Sequence, residues 1–128
     1  MGKTATQARV TGLIPLAHVA NVQRAVDFYK LVGMELRGSL KTSSGDLQWA
    51  HVGCKQADLM VARASEPVVA SQQAVLFYLY SPNLAALREQ LIAAGVRVSV
   101  ITHPAYMPKG EVRVDDPDGY CLLIGQAD

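Results

Sequence analysis

The chain has 128 residues, half of them hydrophobic and 18% charged, with a formal net charge of +1. That length gives one domain or two small fused halves, able to bury roughly two-thirds of the unfolded surface without a metal or disulfide staple. Near-neutral charge argues against a nucleic-acid partner, the composition against disorder, and no run reaches the roughly 18 apolar residues of a membrane span.

From the N-terminus, Met1-Gly2-Lys3-Thr4 opens a polar stretch without the apolar core of a signal peptide, so a cytoplasmic protein is expected. Gly12 to Val19 reads as a strand. Asn21 is placed to cap a helix whose buried side is Val22, Ala25, Val26, Phe28, Tyr29 and Leu31, and Gly33 closes it. Strands are expected over Met34 to Lys41, Asp46 to Gly53 and Ala57 to Arg63, with Ser43-Ser44-Gly45 turning between the first two.

A proline-containing stretch, residues 64–73, reads as a linker, and then the order restarts. Val75 to Tyr80 is strand-like; Ser81 followed by Pro82 looks like an N-cap with proline at N1; Leu84, Leu87 and Leu91 form the helix stripe, and Gly95 ends it. Strands over Val96 to Thr102, Glu111 to Asp115 and Tyr120 to Gly125 complete the pattern, the last two joined by the turn Asp116-Pro117-Asp118-Gly119. This is βαβββ written twice. Asn83 follows Asn21 by 62 positions, and Gly95 follows Gly33 by the same 62. The offset pairs Ile14 with Leu76, Leu16 with Tyr78 and His18 with Tyr80, and period-two alternation puts all six on equivalent faces, where they are expected to share a cavity. Cys54 and Cys121 sit in apolar strands without CxxC spacing and read as buried free thiols.

The segment from His18-Val19-Ala20-Asn21 through Phe28-Tyr29, followed by Val32-Gly33-Met34, resembles the first strand-to-helix unit of the glyoxalase, bleomycin-resistance and extradiol-dioxygenase superfamily, the vicinal oxygen chelate group. Asp115-Asp116-Pro117-Asp118-Gly119-Tyr120 resembles its closing hairpin. The resemblance implies an α+β fold in which two βαβββ modules, here 12–63 and 74–125, form curved mixed sheets around a cup. It also implies a symmetric homodimer.

In metal-using relatives the ligands come from the first and last strands of each module. By resemblance those positions are Ile14, Leu76, Met60 and Leu123, and no segment around the latter two carries a carboxylate. Isoleucine and leucine have no donor atom, and a lone thioether suits only soft ions. The expectation is therefore a protein using neither metal nor other cofactor, with no catalytic residue, that binds a small organic ligand, aromatic or antibiotic-like. The expected ligand-binding residues are His18, Trp49, His51, Met60, Tyr78, Tyr80, Tyr106 and Leu123. His18 lies four residues beyond the first metal position, where glyoxalase-like relatives contact substrate; Tyr106 lies in the irregular segment His103 to Glu111, a candidate rim.

Two pairs of charged residues read as structural. Glu111 and Arg113, two apart on one strand face, read as a solvated ion pair, and Asp116 and Asp118 as turn residues. The competing function is a lyase, isomerase or dioxygenase with displaced ligands, His18 and His51 with Glu111.

Overall fold

A computed structural model describes residues 8–128; the polar stretch that opens the chain falls mostly outside them. In chain order the elements are β1 (Leu16–Val19), α1 (Val22–Leu31), β2 (Glu35–Lys41), β3 (Leu47–Cys54), β4 (Ala57–Arg63), β5 (Leu76–Ser81), α2 (Leu84–Ala93), β6 (Glu111–Asp115) and β7 (Cys121–Gln126). One sheet runs β1-β4-β3-β2 and the other β5-β7-β6, with β1 parallel to β4 and β5 parallel to β7. The architecture is the expected α+β pair of mixed sheets, each with one helix.

The helices form where the caps and stripes put them. Asn21 Oδ1 accepts the Arg24 N–H at 2.9 Å, and Val22, Ala25, Val26, Phe28 and Tyr29 are buried. Leu31, expected on the same side, is instead 40% exposed in the last turn. In the second helix the cap is Asn83, two residues later than expected. Its Oδ1 accepts the Ala86 N–H at 3.1 Å, while Ser81 ends β5 and its hydroxyl accepts the Asn83 N–H at 3.1 Å. An amide side chain in reach of the third helical N–H outcompetes a serine held by its strand.

Two expected strands are cut back. The first begins at Leu16 rather than Gly12; Pro15 has no N–H to give a ladder, although its carbonyl accepts the Met60 N–H at 2.9 Å. Residues 96–102 form no regular strand, only a bridge between Thr102 and Glu111. There the Ser99 N–H reaches the Arg113 carbonyl at 3.1 Å, but the Arg113 N–H is accepted by the Ser99 hydroxyl at 2.8 Å. A side chain has taken the place of a ladder carbonyl, so the second sheet has three strands where the repeat suggested four.

The inner face of each sheet packs on its helix, and one continuous core spans both modules, from Val19, Tyr29, Val52 and Val61 to Leu84, Leu91, Leu122 and Ile124. A polar seam ties the modules together beside it. Asp118 Oδ1 accepts the Ala20 N–H at 2.8 Å, and the Tyr120 hydroxyl donates to the His18 carbonyl at 3.0 Å. Asp116 and Asp118 therefore do more than turn a hairpin: they fasten the closing turn of the second module to the strand-to-helix corner of the first.

Candidate functional site

The outer face of each sheet carries residues expected to bind a ligand, because alternation that buries one set must expose the other. On the first sheet the cross-strand register places Leu16 beside Met60, Met60 beside His51, and Trp49 beside Ala62. Trp49 and His51 lie with ring centroids 6.5 Å apart. Gly38 opposes His51, and a Cβ there would sit 3.5 Å from the indole, an ordinary contact, so the Trp49 ring lies over the sheet at Gly38.

His51 is held, not free. Its Nε2 is 2.8 Å from Asp58 Oδ1, and the Arg37 guanidinium donates to the same oxygen at 2.5 Å. The hydrogen bonds from His51 and Arg37 keep the Asp58 carboxyl below its ordinary range. Gly53 makes this possible, since a Cβ on it would stand 2.7 Å from Arg37 Nη1 and 2.8 Å from Asp58 Oδ1. Period two puts Asp58 on the same face as Met60, which is the signal that could have found it; nothing in the sequence shows that Arg37 reaches across to it.

On the second sheet Tyr78 stands beside Leu123, and Tyr80 one step along the same face stacks on Tyr78 with centroids 5.4 Å apart. The reading of Glu111 and Arg113 as an ion pair is overturned. Glu111 is only 7% exposed and accepts from the hydroxyls of Tyr78 and Tyr106, the latter at 2.9 Å, while Arg113 pairs with Asp115 at 3.4 Å. The bond to Glu111 raises both tyrosine pKa values above the ordinary phenol range. Tyr106 thus reaches from the irregular segment 103–111 onto the sheet face.

Seven of the eight predicted residues fall into two groups. Trp49, His51 and Met60 share the first sheet's outer face with Leu16, and Tyr78, Tyr80, Tyr106 and Leu123 share the second's. The offset partners His18 and Tyr80 open onto different clefts: His18 lines one with Ala64, Glu66, Val69 and Tyr120, and Tyr80 another with Met107, Lys109 and Gln126. A third cavity, of about 330 Å³, lies between the modules and takes in Pro15, Asp58, Leu76 and Tyr78. Both outer faces carry exposed apolar surface, with Leu16 48%, Leu76 56% and Tyr80 63% exposed, so the shared cavity expected from the repeat is not closed within one chain.

The family's metal does not fit these residues. Met60 lies against Leu16 and Leu123 against Tyr78, and Ile14 and Leu76 add no donor at the other two positions. Among the described residues no three of histidine, cysteine, aspartate or glutamate converge. The displaced set of His18, His51 and Glu111 is not assembled: His51 is committed to Asp58 on one sheet and Glu111 to two tyrosines on the other.

Two mixed sheets, each backed by a helix and each presenting an outer face with aromatic residues, define the class of protein. The chain belongs to the Glyoxalase/Bleomycin resistance protein/Dioxygenase superfamily, whose model matches residues 14–124. No curated protein matches the sequence. Among solved structures it is similar to a bleomycin-binding protein complexed with bleomycin, at 14% identity and a TM-score of 0.72 over 93% of this chain and 100% of that one. It is also similar to a bleomycin resistance determinant encoded on transposon Tn5, at 14% identity and a TM-score of 0.73 over 93% of this chain and 99% of that one. A third is TnmS3, an antibiotic binding protein from Streptomyces sp. CB03234, at 21% identity and a TM-score of 0.72 over 95% of this chain and 100% of that one. At these identities the likeness is one of fold.

Proposed function

We propose that the protein binds a flat, partly apolar organic molecule without a metal ion, in a cup made from the first-sheet face of one chain and the second-sheet face of a partner copy. The observation that carries this reading is the composition of those faces: Trp49, His51 and Met60 on one, Tyr78, Tyr80 and Leu123 on the other, with aliphatic side chains and a thioether at the positions where metal-using relatives place ligands. Aromatic walls with a few fixed polar groups suit a drug-sized ligand. The exposed Leu16, Leu40, Leu76 and Tyr80 support the dimer, since a cup closed by a second copy would cover them. The antibiotic-binding neighbours of the same fold support the ligand class. The unpaired thiols of Cys54 and Cys121 are consistent with a reducing, cytoplasmic setting, and no helix among the described residues is long and apolar enough to cross a membrane.

Thermal-shift screening of planar aromatic drugs and metabolites tests the reading, because a ligand at 100 times its Kd stabilises the native state by about 2.7 kcal/mol. A set of aromatic ligands that raise Tm, with the rise lost in Trp49→Ala, is expected. Retention of near one equivalent of a divalent metal by protein stripped of adventitious nickel would end it.

A further inference from the structure

The second sheet's outer face has an unusual hydrogen-bonding polarity. Glu111 receives both of its side-chain hydrogen bonds from phenols, Tyr78 on Oε1 and Tyr106 on Oε2. A hydroxyl has one proton, and both protons point inward to the carboxylate, so the oxygens of Tyr78 and Tyr106 have only lone pairs left to offer. Neither phenol gives that proton up under physiological conditions, since the carboxylate beside them holds both pKa values above the usual phenol range. Glu111 is only 7% exposed, and among the described residues no cation pairs with it. Arg113, next on the same face, is turned to Asp115, and Lys109 is paired with Asp128. Beside this surface the stacked rings of Tyr78 and Tyr80 stand 40% and 63% exposed.

We infer that this face selects a cationic ligand, a protonated amine, amidine or guanidine carried on or beside an aromatic ring. The inference rests on the binding reading above and deepens it. Such a group brings the donors that the two phenolic oxygens lack and places its charge over the tyrosine faces and the covered carboxylate. A neutral ligand whose polar atoms are acceptors meets lone pair against lone pair here, and an anion meets the field of Glu111.

Proflavine and acridine test it, being tricycles of similar shape of which, at mildly alkaline pH, the first is cationic with amino donors and the second neutral with a ring-nitrogen acceptor. Fluorescence titration of the full chain should give about tenfold or more tighter binding of proflavine, the span of one charge-assisted hydrogen bond. Glu111→Gln should bring the two affinities within about threefold of each other by weakening proflavine alone. An unchanged circular-dichroism spectrum and retained acridine affinity guard against a folding defect in that variant, and Tyr106→Phe, which keeps the carboxylate but removes one of the two acceptor oxygens, should weaken proflavine more than acridine and so reduce the preference. Equal affinities in the parent, or a preference that survives Glu111→Gln in folded protein, overturns the cation assignment while leaving aromatic binding in place. A Tyr106→Phe variant that weakens acridine more than proflavine overturns it too, by showing an outward donor. Failure of both tricycles to bind the parent removes the binding reading and this inference together.

Discussion

The Tyr29 hydroxyl donates to Asp116 Oδ2 at 2.6 Å, and with that bond helix α1 of the first module grips the closing turn of the second. The other carboxylate oxygen is no freer: Asp116 Oδ1 accepts the Asp118 and Tyr120 N–H groups, each at 2.9 Å. Tyr29 is 1% exposed and Asp116 5%, so neither group has water to fall back on if its partner is removed. The orientation of one outer face relative to the other depends on this seam.

Tyr29→Phe leaves the carboxylate one donor short inside the protein. The expected loss is about 1–3 kcal/mol of unfolding free energy, the cost of a buried polar group deprived of its partner. Urea denaturation at neutral pH measures it, and a change below about 0.5 kcal/mol would mean that Asp116 finds compensation elsewhere.

The same seam sets a pH dependence whose sign is fixed. Burial raises the Asp116 pKa above its unfolded value, against the pull of Tyr29 and the two N–H groups. A carboxyl raised on folding stabilises most when protonated, so its contribution is complete below the unfolded value near 3.9 and is lost as pH rises through the higher folded one. Asp58 has the opposite sign, being lowered by His51 and Arg37: its contribution is present above the ordinary value and disappears in acid. Asp116→Asn removes the first titration and keeps an acceptor for the two N–H groups. The stability of the parent relative to Asp116→Asn should fall as pH rises above the ordinary carboxylate range, and relative to Asp58→Asn should rise as pH climbs from strong acid to that range. Reversed slopes in urea-unfolding series across pH would show that the carboxyls are perturbed the other way.

Much of this was legible before any coordinates. The repeat offset, the Asn21 cap and the alternation of β4, β5 and β7 place Met60, Tyr78 and Leu123 on outer faces, because local pattern decides which side of a strand is covered, whereas the facing of Trp49 and His51 on β3 is not fixed by pattern alone. The environment of a polar residue was not legible. Glu111 and Arg113 share a face, yet one is covered by Tyr78 and Tyr106 from elements 33 and 5 positions away while the other reaches Asp115, and only tertiary structure decides that. The irregular run of residues 96–102 escaped for a related reason: its composition suits a strand, and the Ser99 hydroxyl replaces the ladder.

Two glycines on the first sheet separate tight packing from an open seat. A Cβ at Gly53 would lie 2.4 Å from the Ala57 carbonyl oxygen, inside the hydrogen-bonded turn that holds Arg37 to Asp58. Gly53→Ala should therefore cost about 1–3 kcal/mol, as overpacking does, and release His51 from its partner. At Gly38 the nearest atoms are Trp49 ring carbons at 3.5 and 3.6 Å, an ordinary contact, so Gly38→Ala should change stability by less than about 1 kcal/mol. Thermal melts of the two variants decide it. Equal destabilisation would contradict the difference in clearance.

Whether a cup is completed by a second chain can be read from complementation. With Trp49 on one face and Tyr78 on the other, Trp49→Ala and Tyr78→Ala each damage every cup in their own homodimers. Mix the two by co-refolding, and a heterodimer places both damaged faces in one cup and both intact faces in the other. Random exchange makes about half the dimers mixed, so about one quarter of the sites should recover full affinity for a ligand found in the thermal-shift screen. A cup formed inside each chain recovers none, since every chain carries a damaged face; sedimentation of the parent as a monomer would rule out the exchange at the start.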